Sequence, residues 1–180
     1  MNSHSTEPFL IGLVVVITAT VGYFLLRNTG NNAAQKSQKI ITGFLGAFLL
    51  MGGTVKFFEP FTTMFANQFA LSGLPFPTLS NWAGQLGEIT AGVALLALLL
   101  LGKKLSPVIT DKASHLANLL IVFIMVVAIY VHLHPDVPAE TLPLGTKPPF
   151  LTVFILLLAG LNIYLYRKNQ RATRRSSGNP

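Results

Sequence analysis

Residues 52–88, GGTVKFFEPFTTMFANQFALSGLPFPTLSNWAGQLGE, join two long apolar runs and carry Lys56 near the start and Glu88 at the end. Both charges are embedded in otherwise apolar sequence. A lysine or carboxylate facing lipid costs on the order of 3 kcal/mol or more, so two of them on consecutive spans are expected to face each other inside a helix bundle. Lys56 falls about two residues before the end of span 40–58 and Glu88 about six residues into span 82–101. At ~1.5 Å of rise per residue their depths then differ by only a few ångströms. They can pair.

Composition places the rest of the chain in the same setting. Of 180 residues, 51% are hydrophobic and 11% charged, which is membrane composition. The charges cluster between apolar runs, whereas a soluble helical protein spreads them along polar faces. The net charge of +7 therefore has to be read by location. Its lysines and arginines flank apolar spans and form no basic stripe interleaved with aromatics, so nucleic acid is not an expected partner. The lipid bilayer is. There is no cysteine, which excludes a disulfide-shuttling site and a thiolate-held metal or cluster in this chain.

The pattern predicts an all-α, multi-pass membrane helix bundle with five transmembrane helices, each near the roughly 20 residues that cross a bilayer. The first, 8–26, has no lysine or arginine ahead of it and so reads as a retained helix rather than a secretory signal. A polar, turn-rich connector over 28–39 leads to the second span, 40–58, whose Gly43, Gly46, Ala47, Gly52 and Gly53 provide faces for close helix packing. Residues 59–81 are too long and too apolar for a bare loop. Phe61, Phe65 and Phe69 recur every fourth position with Met64 beside them and Gly73 placed as a stop, which predicts a short amphipathic helix near 60–72. Its polar face lacks basic residues, so a cap over the bundle is favoured over a surface-lying helix.

The third span, 82–101, opens on small residues and becomes nearly pure leucine and alanine; the fourth covers 114–132 and the fifth 150–166. Residues 134–149 form a proline-rich loop expected to be fixed and external. The chain thus divides into an N-terminal span with its connector (1–39), a four-helix domain (40–166) and a basic tail (167–180), disordered after Arg171. All but Lys56 and Lys147 of the 13 lysines and arginines lie in the connectors after spans one and three and in the tail. The positive-inside rule then puts the N-terminus outside and the C-terminus in the cytoplasm, in a plasma-membrane setting.

With that orientation Lys56, Glu59, Gln85, Glu88, His132, His134, Asp136 and Lys147 converge on the outer leaflet. The candidate polar site is Lys56, Glu88, Gln85, His132 and His134. Two readings stay open for the Lys56–Glu88 pair: an ion pair that fixes helix register, or a site for an anionic or quinone-like head group or a proton relay. His132 and His134 can carry protons near neutral pH. Their i,i+2 spacing puts them on different helix faces, so no metal site is expected, and no facing axial histidine pair for haem is visible. Trp82, Tyr130, Tyr164 and Tyr166 read as interfacial anchors. Asn162 is the deepest polar group of span five and is expected to hydrogen-bond between helices. No nucleotide loop, hydrolase triad or zinc motif is present.

GGTVKFFEPF at 52–61, GLPFP at 73–77, GQLGEITAGVALL at 84–96 and VHLHPDVPAETLPLGTKPPF at 131–150 resemble the DoxX-like family of small integral membrane proteins. The resemblance covers residues 40–166 and places the family's polar signature on Lys56 and Glu88; span one lies outside the family's four-helix core. It implies the fold more firmly than a reaction. The family is named for a subunit associated with a thiosulfate:quinone oxidoreductase, and other relatives look like partners of redox or stress enzymes or like assembly factors. The resemblance therefore implies a quinone-linked subunit or partner of a membrane redox complex. Quinone is the cofactor to consider, with none covalently bound. The alternative is a non-catalytic accessory or assembly factor for another membrane protein. Transport of a small solute is disfavoured, since no pair of broken helices appears.

Overall fold

The computed structural model describes residues 33–142 and 145–177, with side chains described through residue 173. The expected first span, 8–26, lies outside them. Among the described residues there is no strand, and the helices are α1 (Ala33–Val55), α2 (Phe61–Leu71), α3 (Pro77–Leu101), α4 (Pro107–Leu133) and α5 (Phe150–Ser177). Short 3-10 turns stand at Gly102–Lys104 and Ala139–Thr141. Four of the helices, all but α2, are long and apolar enough to cross a membrane.

Those four form an antiparallel ring in which α1 packs on α3 and α5, and α4 on α3 and α5. The α1–α3 seam is the most extensive. Its closeness comes from residues without a Cβ: one built at Gly92 would stand 2.6 Å from Leu50 N and 2.8 Å from Gly46 O, both backbone atoms. Gly53 is equally tight against Ile89 and the Gln85 carbonyl. In lipid such close approach supplies the dispersion contacts that hold helices together. Leu45, Leu49, Ala91, Leu95, Ile121, Met125, Ile155 and Ala159 fill the centre, while Leu100, Leu116, Phe123 and Leu157 point outward as a lipid-facing belt.

Four boundaries differ from the sequence expectation. The expected connector over 28–39 is helical from Ala33, because AAQKSQK contains only ordinary or good helix formers and no glycine or proline. α4 begins at Pro107 rather than 114: Ser106 caps it, its Oγ accepting from Ile109 N at 3.3 Å, and proline suits the first turn. α3 likewise starts at Pro77 instead of 82, with Phe76 in the left-handed region at φ 54°. The tail expected to lose structure after Arg171 continues the helix to Ser177. By contrast Gly73, read as a stop, does follow the end of α2, with φ +67°.

The up-down topology collects Lys36, Lys39, Lys103, Lys104, Lys112 and Arg167 at one end of the bundle. Just inside that end a polar chain crosses three helices. Thr42 Oγ1 (α1) lies 2.9 Å from Asn162 Oδ1 (α5), and Asn162 Nδ2 donates to Asn118 Oδ1 (α4) at 3.0 Å. Asn162 makes the interhelical bonds expected of it. The opposite end holds Lys56, Glu88, α2 and residues 134–142, where Val137 is fully buried and Leu142 buried.

Candidate functional site

Lys56 is the first residue past α1, not a residue within it. The chain turns there, Phe57 N and Phe58 N donating to Thr54 O and Val55 O, and Thr62 Oγ1 donates to Lys56 O at 2.9 Å to hold the turn against α2. Its ammonium donates to Glu88 Oε2 of α3 at 2.7 Å and stands 4.3 Å from the centre of the Phe65 ring. Gly52 lies beside the carboxylate, where a Cβ would stand at ordinary contact distance, 3.7 Å from Oε2. The pair is almost entirely buried, with 9% and 11% of the two side chains exposed. Pairing, charge-assisted hydrogen bonding and the aromatic face together offset the cost of taking the charges out of water.

The facing wall comes from α4 and α5. His132, in the last turn of α4, is buried, and its Nδ1 lies 3.2 Å from Thr152 Oγ1 in the first turn of α5. From α2, Gln68 is fully buried and donates its Nε2 to Thr141 O, tying the cap to the 3-10 turn at Ala139–Thr141. Its Oε1 has no partner among the described residues.

These groups surround one end of a cavity of about 940 Å³, at the upper part of the ~300–1,000 Å³ range of small-molecule sites. Lys56, Gln68, Glu88, His132 and Thr152 line that end. The remaining wall is apolar and aromatic, with Phe44, Phe48, Leu49, Met125 and Ile155 deeper in and Phe61, Met64, Phe65 and Phe69 of α2 above. Along α1 the lining extends from Phe44 to Val55, about 16 Å at ~1.5 Å per residue. Leu79, Ala83 and Phe123 line it and are also exposed, which places the mouth on the lipid-facing side between α3 and α4. The arrangement can hold a long apolar chain under a polar head.

Of the sequence candidates, Lys56, Glu88 and His132 meet at this cavity and two do not. Gln85 lies one turn from Glu88 and is buried, yet it is not part of the lining, and its Nε2 has no partner among the described residues. His134 stands outside: it ends α4, its Nδ1 accepts from Asp136 N at 3.3 Å, and its carbonyl accepts from Lys147 Nζ at 2.8 Å. Pro135 stops the helix at His134, so the two histidines diverge as the i,i+2 spacing requires. Glu59 bonds Thr63 on the surface, and the Asp136 side chain is 77% exposed. Thr152 and Gln68 were missed. Gln68 occupies an apolar-face position of the 61/64/65 stripe, and a lone amide on such a face was the signal available.

Among the described residues no group of three or more histidines and carboxylates could hold a metal ion. No family model, curated protein or solved structure matches the chain.

Proposed function

We propose that the chain is a DoxX-like plasma-membrane protein, four core spans plus an N-terminal fifth, whose cavity binds the head group of an isoprenoid quinone. In this reading it is a quinone-linked subunit or partner of a membrane redox complex, the redox centre being supplied by another protein. One observation carries it: a long apolar cavity open toward lipid, with Lys56, Glu88, His132, Thr152 and Gln68 gathered at one end. A quinone has that division between polar head and apolar chain, and it lives where the mouth opens. The basic residues at the far end support an N-outside, C-inside orientation, which puts the head-group site in the outer leaflet.

The test uses the single tryptophan. Trp82 lies against Phe57, the two rings tilted by 53°, next to lining residues Ala83 and Gly84, so a quinone entering the cavity is expected to quench its fluorescence. Titration of the detergent-solubilised protein with a decyl-tailed benzoquinone is predicted to saturate, and to weaken at least tenfold in Ala128→Phe, which places a bulky ring in the lining. Linear, non-saturating quenching indistinguishable between the two proteins would remove this reading.

The accessory-factor reading is favoured by a different observation: Lys56 is already satisfied by Glu88 and Phe65, as a purely architectural pair would be. It predicts an intact partner complex and no saturable quinone response.

A further inference from the structure

Glu88 has two carboxylate oxygens in different circumstances. Oε2 takes the Lys56 ammonium, whereas Oε1 has no partner among the described residues. Nor is Oε1 sealed away, since the only fully enclosed side-chain atoms left without a partner among the described residues are Gln68 Oε1 and Gln85 Nε2. Glu88 lines the cavity, and Oε1 is its oxygen left free to accept from a ligand there.

From this we infer that the cavity selects a hydroxyl-bearing head group, the reduced quinol in preference to the oxidised quinone. The inference rests on the quinone reading above and refines it. An ionised carboxylate only accepts hydrogen bonds, and so do the carbonyls of a quinone. A quinone carbonyl beside Oε1 sets acceptor against acceptor in a low-dielectric site, where an unmet polar group is costly. Lys56, with one N–H on Oε2 and the Phe65 ring beside it, keeps an N–H for a quinone carbonyl and a quinol oxygen alike, so it does not separate the two. A quinol hydroxyl donates to Oε1 and still presents its own oxygen to the lysine. His132 does not discriminate. With Nδ1 engaged by Thr152, its Nε2 either donates or accepts according to tautomer, and so suits a carbonyl or a hydroxyl. Glu88 is thus the residue that sets oxidation-state preference, and Lys56 positions it.

The experiment compares the dissociation constants of a decyl-tailed benzoquinone and its quinol, measured anaerobically on the full chain in lipid nanodiscs. One added charge-assisted hydrogen bond predicts that the quinol binds roughly tenfold tighter or more. In Glu88→Gln the amide nitrogen can donate to a carbonyl, so the ratio is expected to fall to near unity or invert. Equal or tighter binding of the quinone by the unmodified protein overturns the inference and leaves the quinone reading standing. Binding of neither form overturns both. A ratio unchanged in Glu88→Gln overturns the role of Glu88. Should that variant fail to insert, the comparison on the unmodified protein still decides.

Discussion

Lys56 Nζ lies 2.7 Å from Glu88 Oε2, closing a contact between the end of α1 and the middle of α3 across 32 positions of chain. With about a tenth of either side chain exposed, neither charge has water to fall back on. Removing one partner of a buried pair typically costs about 3–5 kcal/mol, because the other charge is left uncompensated, whereas replacing both by apolar groups costs far less. Lys56→Met and Glu88→Leu are each expected to lose stability in that range, and the double variant much less than their sum. Glu88→Gln is expected to be milder, its amide oxygen still accepting from the lysine. Reversible unfolding in detergent micelles measures all four; simple additivity would mean the pair is not coupled.

The α1–α3 seam makes a sharper steric prediction. Gly92→Ala puts a methyl group 2.6 Å from a backbone nitrogen of α1, so the helices must separate. Overpacking of this kind costs about 1–3 kcal/mol. Gly160→Ala on α5 meets nothing within 4 Å and is expected to be neutral or slightly stabilising. The same unfolding assay compares them directly.

At the basic end, Asn162→Leu cuts the chain from Thr42 to Asn118 and leaves Asn118 Oδ1 without its donor. Interhelical hydrogen bonds of this kind contribute about 1 kcal/mol in membrane proteins. A loss of that size is expected with no change in quinone binding, since Asn162 does not line the cavity. A marked loss of binding would link the two ends of the bundle.

Much of this was legible beforehand, and the reasons are physical. The depth argument found the Lys56–Glu88 pair because a charge in an apolar span has few tolerable partners. Asn162 was legible on the same ground. Span starts were less so: Ser106-Pro107 is a cap followed by a first-turn proline, but Thr110, Asp111 and Lys112 dilute the apolar run and mask it. The cavity itself could not be read. Its volume depends on how far α2 stands off the bundle, and its polar rim is completed by Thr152 and Gln68, ordinary residues made notable only by what the fold brings beside them. His134 was grouped with the site by proximity in sequence, and one proline separates it.

The absence of native cysteine makes the proposed orientation directly testable. Single cysteines at Glu140 and at Lys103, introduced one at a time, report the two ends. A membrane-impermeant maleimide applied to intact cells is expected to label Glu140→Cys and to spare Lys103→Cys until the membrane is permeabilised. The reverse pattern would invert the orientation and move the cavity to the inner leaflet.

The central claim is that the cavity holds a quinone, and it is tested most directly by native mass spectrometry of the protein extracted gently from its own membrane. The prediction is one isoprenoid quinone or its quinol retained per chain, identified by fragmentation and lost in Ala128→Phe, which adds bulk to the lining and leaves both charged residues in the sequence. A protein that arrives without quinone, carrying a stoichiometric polypeptide or phospholipid instead, would contradict the account and leave Lys56–Glu88 as the brace of an accessory scaffold.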